Sequence, residues 1–379
     1  MQSALYSFRN NQFIQDTKSD TINQENVQLV LGFGAKKILS DSNIFNELKS
    51  KFTNAHIVLS STAGEIYDNE VMDDSVSITA IHFEKTTIKT SVINISDFEN
   101  STEAGKNLML SLSTEQLQYV LVLSDGGLVN GSQLVEGINS VINHKVPVTG
   151  GLAGDGKDFN STLVGCDEKP SVGKIVAIGF YGSSLKVAHG TLGGWEMFGL
   201  EKTITKSTNN VLSEIDDANA LDLYKNYLGK YADELPGSAL LFPLAVKLPD
   251  TENAVVRTIL SIDNTAKTMT FAGDVPIGSK VRFMKANFDK LVEAANTAAN
   301  QTLTNFSSQP KVAILISCVG RKLILDKRID EEVEAVREVL GDKTLITGFY
   351  SYGEISPFNE NANCTLHNQT MTITTFDEL

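Results

Sequence analysis

Residues 344–355 read TLITGFYSYGEI. A short apolar run ends in a Ser-Tyr-Gly-Glu turn, the pattern of a buried strand that runs into a glycine-acid loop. Two earlier stretches follow the same plan: HIVLSSTAGEI at residues 56–66 and VPVTGGLAGDG at 146–156. Each is preceded by another apolar strand pattern: VQLVLGFG (27–34), YVLVLSDG (119–126) and KVAILISCVGR (311–321). Between the two strands of each set lies helical spacing: SNIFNELKSKF (42–52), GSQLVEGINSVI (131–142) and DEEVEAVREVLG (330–341). Ser42 is placed to cap the first of these helices. A further strand follows each loop, in DDSVSITAIHF (73–83), GKIVAIGF (173–180) and QTMTITTF (369–376). The first of these alternates apolar with polar and predicts a half-exposed strand.

The order strand, helix, strand, glycine-acid loop, strand therefore occurs three times, with Glu65, Asp155 and Glu354 as the acids. It predicts an α/β protein of mixed α+β kind, with repeated strand-helix-strand units on mixed sheets in two pseudo-repeated lobes. Loops at the carboxyl ends of parallel strands are where ligands bind in such folds. Each acid has two readings. It can face a ligand, or it can accept backbone N–H groups and brace the turn.

The composition bounds the function. The chain has 379 residues, 41% of them apolar and 21% charged, with a net charge of −14. Such a chain suits a folded protein and opposes general binding to nucleic acid or to an anionic membrane surface. The start lacks a signal-peptide pattern, and no apolar run is long enough to span a bilayer, so a cytoplasmic location without membrane insertion is expected. The three cysteines, Cys166, Cys318 and Cys364, have no zinc or C-x-x-C spacing. GFGAKK at residues 32–37 lacks the third glycine of a dinucleotide fingerprint and reads as a turn. Of the five histidines, no two lie within four residues of each other.

Cys318 follows a strand and precedes Arg321, which can lower its pKa, with His367 and Glu354 further on. A Cys-dependent enzyme is one reading; a small buried Cys at a strand end is the plainer one. Trp195, between glycines, can stack on a ligand or anchor packing.

CVGRKLIL, GFYSYGEISP and TLHNQTMTITTF together resemble the FIST family, whose domains occur in F-box and intracellular signal-transduction proteins. The resemblance is carried by Cys318, Gly320 and Arg321; by Gly348, Phe349, Tyr350, Gly353, Glu354, Ile355 and Pro357; and by His367, Asn368 and Thr370. It divides the chain into an extension (1–26), a FIST N-terminal domain (27–205), a helical connection (206–235) and a FIST C-terminal domain (236–379). It implies a sensor for small ligands such as amino acids, signalling in trans to a histidine kinase or a cyclic-dinucleotide enzyme. Arg321, Gly348, Phe349, Tyr350, Tyr352, Gly353, Glu354, Cys318, Glu65 and Asp155 are then the candidate ligand-binding residues. Arg321 would fork onto a ligand carboxylate and Glu354 would hold an amine. Members of the NosP type imply a narrower alternative, a haem-binding nitric-oxide sensor. Haem needs an axial ligand, commonly histidine, and His189 and His82 are the candidates. A scaffold without any small ligand is the third reading.

Overall fold

The computed structural model describes residues 1–10, 12–41, 43–142, 144–235, 237–249, 251–304, 306 and 308–379. Three units share one plan. In the first, Leu29–Gly34 runs parallel to His56–Ser61 across the helices Lys36–Asp41 and Ile44–Lys51, and Val76–His82 returns antiparallel to Leu29–Gly34. In the second, Leu117–Ser124 and Val148–Leu152 are parallel across the helix Gly131–Asn139, with Lys174–Tyr181 returning. In the third, Val312–Cys318 and Leu345–Ser351 are parallel across Val319–Leu325 and Ile329–Leu340, with Met371–Glu378 returning. Outside each returning strand lies one more antiparallel strand: Gln2–Arg9, Thr87–Asn94 and Leu185–Leu192 respectively. The first residues, set apart from the repeats by the sequence, thus belong to the first sheet. The fold is α/β of the mixed α+β kind expected, with repeated strand-helix-strand units on mixed sheets.

The opposite edge of each sheet comes from another unit. After the first corner, Glu65–Tyr67 pairs with Leu345–Ser351 in the third sheet. After the third corner, Gly353–Pro357 pairs with Val148–Leu152 in the second. After the second corner, Val164–Cys166 pairs with His56–Ser61 in the first. The exchange closes a ring of three.

Both faces of each sheet are covered, so the central strands read as unbroken apolar runs. The inner faces meet in one core, where Phe33 stacks on Phe349 at 4.8 Å and Phe180 packs on Tyr119 and Phe376. The outer faces are covered by helices, including Ser101–Leu110 and Phe288–Leu303. This explains a departure from the sequence reading. Val76–His82 is buried nearly throughout, not half-exposed, because its polar side carries only the small hydroxyls of Ser77 and Thr79, which fit inside the core. Ser77 meets Thr347 at 3.1 Å, and in the third unit Thr374 meets Thr149 at 2.7 Å. The Ser42 cap lies outside the described residues.

The echoed Thr-Gly of residues 149–150 and 347–348 has a steric cause. A Cβ at Gly150 would lie 1.9 Å from the Val122 carbonyl oxygen, and one at Gly348 would lie 1.8 Å from that of Leu315. In each case the strand crosses too close to its parallel neighbour for any side chain.

The remaining strands form a β-rich insert between residues 196 and 285. Its strands, from Glu196–Thr208 to Lys280–Lys285, pair antiparallel throughout and pack with the helix Ala220–Leu228 around their own core. The apolar run that opens at Ala239 starts as a 3-10 turn, Gly237–Leu241, and becomes a strand only at Leu244–Lys247, after Pro243. Among the described residues no helix is long and apolar enough to cross a membrane.

Candidate functional site

The three acid corners are not alike. Glu65 is buried; its Oε1 accepts the Thr62 hydroxyl at 2.5 Å, and its Oε2 accepts the Ser75 hydroxyl at 2.7 Å and N–H at 3.2 Å. Glu354 repeats this network. Its Oε1 accepts the Ser351 hydroxyl at 2.6 Å, and its Oε2 accepts the Thr370 hydroxyl at 2.9 Å and N–H at 3.2 Å. Burial pushes Glu65 up to about 7 and Glu354 up to about 8. These two carboxyls brace the start of the crossing strand, the structural alternative weighed from the sequence.

At the second corner the crossing strand begins only at Val164, so a loop intervenes. Asp155 gathers this loop, accepting N–H groups from Ser161 at 2.9 Å and Asn160 at 3.1 Å, the Tyr352 hydroxyl, and Lys36 at 3.4 Å. Burial opposes its ionisation, but these donors outweigh burial and hold Asp155 below the usual carboxylate range. The loop carries Phe159 onto Tyr352, ring on ring at 4.5 Å.

Arg321 is fully buried and already engaged. Its Nε and Nη2 bind Glu332 Oε2 at 2.9 and 2.7 Å, Nη1 donates to the Gly193 carbonyl at 2.7 Å, and Nη2 also donates to that of Leu291 at 2.8 Å. The other oxygen of Glu332 accepts Tyr350 at 2.6 Å and Ser317 at 3.1 Å. Arg321 and Tyr350 thus hold the third unit's helices to its sheet. Phe349 and Gly348 belong to the three-sheet core and its close strand crossing. Gly353 pairs with Leu152 in the second sheet. Burial pulls the pKa of His367 down to about 4, outweighing the hydrogen bond that its Nε2 donates to the Ser356 carbonyl at 2.9 Å.

A cavity of about 360 Å³ opens where the second and third units meet the insert. One side is the loop at residues 126–131 after Leu117–Ser124, with Leu152 and Phe159. Another is Cys318, Val319, Gly320, Tyr352 and Asn368 of the third unit. The insert closes it with Asn210, Leu240, Thr258, Leu260 and residues 271–273. It lies at the carboxyl ends of Leu117–Ser124 and Val312–Cys318, where α/β folds place ligands. Its size and largely apolar wall are those of a small-molecule site. The insert is tied across this junction: Asn130 Nδ2 donates to Asp274 at 3.0 Å, Asp274 N–H to Ser132 at 3.1 Å, and the buried Arg257 to the Leu366 carbonyl at 3.0 Å.

Of the ten residues singled out in the sequence, Cys318 and Tyr352 line this cavity. Glu65 and Asp155 line a second one of about 420 Å³, together with charged residues that include Lys36 and Lys37. Cys318 is 4% exposed, and burial with the nearby Glu354 charge raises its pKa well above that of an ordinary thiol. It is held as a neutral thiol, a poor nucleophile. Asn368 and Thr258 were not chosen from the sequence. Asn368 stood in the family pattern between His367 and Thr370, whereas Thr258 arrives only through the folding of the insert.

The histidines do not form a haem slot. Haem needs a ring nitrogen aimed into a large apolar cleft. His189 lines a separate cleft of about 230 Å³ shared with His144, Lys145 and Glu360. His82 meets Gln2 Oε1 at 3.3 Å on the first sheet. The apolar cavity has no histidine among its described lining residues. Strand pairing does gather His56, Cys166 and Asp167, with ligand atoms within 4.8 Å of one another. There the Asp167 carboxylate binds His56 Nδ1 at 2.6 Å, and burial pushes the Cys166 thiol up to about 12.

No curated protein matches the chain. Among solved structures, a cyanuric acid hydrolase from A. caulinodans is 8% identical, covering 94% of this chain and 91% of its own at a TM-score of 0.38. A second cyanuric acid hydrolase structure, described as an evolutionary innovation by structural concatenation, is 11% identical, covering 100% of this chain and 99% of its own at a TM-score of 0.30. Overlaps this low bear on neither fold nor activity. The family comparison is of another order: the FIST N domain matches residues 28–218 and the FIST C domain residues 220–357, and the chain belongs to the FIST family.

Proposed function

We propose that this protein is a small-ligand sensor whose ligand occupies the cavity between the insert and the second and third units. FIST domains are small-ligand-binding sensory domains of signalling proteins. The observation that carries the reading is the shared wall. A ligand touching Thr258 and Phe271 on one side and Val319 and Asn368 on the other favours one placement of the insert over others. That difference in affinity is the signal. It passes in trans, to a cytoplasmic partner such as a histidine kinase or a cyclic-dinucleotide enzyme.

A thermal-shift screen of small metabolites tests the reading, run in parallel on the native chain and on Leu260→Trp, which narrows the mouth of the cavity. Hits lost in the variant support it. Hits that the variant leaves unchanged place the ligand elsewhere.

The haem alternative predicts a sharp, stoichiometric Soret band after haemin addition, shifting with nitric oxide and lost in His189→Ala or His82→Ala. The placement of both histidines outside the apolar cavity disfavours it. The Cys-dependent enzyme draws on the position of Cys318 in the cavity wall, but a buried neutral thiol serves packing better than attack. Alkylation of Cys318 in the native protein faster than of a free thiol would revive it.

A further inference from the structure

The cavity wall is chemically selective. Among its described lining residues there is no Asp, Glu, Lys, Arg or His. Most of its polar groups are already committed. Asn130 Oδ1 caps the helix Gly131–Asn139 by accepting N–H groups of Ser132 and Gln133, and its Nδ2 reaches Asp274. Asn210 Nδ2 donates to the Phe271 carbonyl at 2.7 Å. The Tyr352 hydroxyl is held by Asp155.

Three buried side-chain atoms are left over. Asn368 is 0% exposed, and both Oδ1 and Nδ2 lack a partner; Thr258 is 5% exposed, and its Oγ1 lacks one. A buried amide without partners is costly, so native proteins rarely keep one unless something else satisfies it. Along one edge a carboxamide presents an acceptor and a donor side by side in a single plane. The complementary surface is a donor and an acceptor side by side and coplanar, as on the edge of a lactam or a nucleobase. The stacked Phe159 and Tyr352 rings, with Phe271, supply flat apolar walls for a ring.

We propose that the cavity takes an uncharged, planar nitrogen heterocycle or lactam, gripped edge-on by the Asn368 carboxamide with Thr258 as a further polar contact. This rests on the reading of the cavity as the ligand site. It also separates this chain from an amino-acid sensor. A free amino acid brings a carboxylate and an ammonium, and burying either without a charged partner is strongly unfavourable. Arg321, the natural carboxylate fork, is tied up with Glu332.

Calorimetric titration of the full chain decides it. The probes are succinimide, uracil and hypoxanthine, set against 1,3-dimethyluracil, L-glutamate and L-arginine. The expected result is saturable binding of at least one of the first three. The N-methylated ring, which lacks the donor, and both amino acids should bind roughly ten- to a hundredfold more weakly, the discrimination of a bidentate amide contact. Asn368→Asp should abolish the preference. Thr258→Val, nearly isosteric and less exposed to a folding defect, should weaken the same probe several-fold. Failure of all three lactam probes, or tighter binding of an amino acid, overturns the ligand class. An amino acid whose binding is lost in Leu260→Trp overturns the class yet keeps the cavity as the site. Lactam binding that Leu260→Trp and Thr258→Val both leave unchanged overturns the cavity reading itself.

Discussion

The first and third corners are copies, and the second is not. Glu65 and Glu354 occupy equivalent places, each bracing the strand that leaves for another sheet, each through two hydroxyls and one N–H. Asp155 braces nothing of that kind. Its strand is delayed to Val164, and the slack between them becomes the loop that sets Phe159 against Tyr352 beside the cavity. Where the repeat is kept, the acid is architectural. Where it is relaxed, the chain gains a wall of the cavity.

The matched pair itself holds the largest expected effect. Only the third unit adds the buried Arg321–Glu332 pair to its corner, among the described residues. Glu332→Ala strands a buried guanidinium along with Tyr350 and Ser317, and should cost about 4 kcal/mol in denaturant unfolding. A loss under 1 kcal/mol would mean that the pair is not holding the helices to the sheet.

Next comes the contrast between corners. Glu65→Ala and Glu354→Ala each leave a buried N–H and hydroxyls unpaired and should cost about 3 kcal/mol, whereas Asp155→Ala should cost about 1 kcal/mol. Equal losses at all three sites would erase the distinction. Conversely, Asp155→Ala should weaken any cavity ligand more than Glu65→Ala does, which titration of both variants reads directly.

The corners also differ in their response to pH. Folded Glu65 and Glu354 keep a proton up to about 7 and 8, while an unfolded glutamate loses it near 4.5. Between those values the folded state holds more protons, so stability falls as pH rises through about 4.5 to 8. The double variant Glu65→Gln/Glu354→Gln should flatten that decline. His367 acts in the other direction. Its folded pKa is about 4 against an ordinary 6.5, so its contribution is present above 6.5 and lost as pH falls toward 4. Melting curves of native and variant chains from pH 4 to 9 separate the two limbs. Asp155, ionised when folded, adds nothing to the alkaline decline.

The smallest effect sharpens the site. Tyr352→Phe keeps the ring against Phe159 but removes the hydroxyl from Asp155. Stability should change by less than about 1 kcal/mol, with ligand affinity falling a few-fold through loosening of the loop. An unchanged affinity would remove the loop from the site.

The sequence displayed the repeat because the repeat is enforced locally. Gly348 must be glycine to pass the Leu315 carbonyl, and Glu354 must be an acid to gather Thr370, so both leave an echo in their neighbours. Partners brought from afar leave none. Arg321 read as a ligand fork because nothing beside it announced Glu332 eleven residues on, across a helix turn and out of solvent. Val76–His82 read as half-exposed because serine and threonine look the same whether they face water or another hydroxyl. Cys318 stood out at a strand end and Tyr352 through the family resemblance, and both line the cavity. Thr258 and Phe271 were not, since their approach depends on how a separate β-rich insert is seated.

The ring of borrowed edges has a consequence for how this chain comes to be folded. A nascent first unit emerges without the strand at residues 164–166 that finishes its sheet, and the second waits for residues 353–357, made long after it. The third, last to arrive, needs both residues 65–67 and 185–192 from chain made long before. The first sheet and the insert can each be completed before the third unit is made, but the second and third sheets cannot, so the pairings that close those two form late and together. Such long-range closure favours slow assembly and leaves open strand edges exposed until the last unit locks in. Cutting the chain near residue 219, between the two family domains, would sever this dependency and give two fragments with unfinished sheets, each prone to aggregate alone.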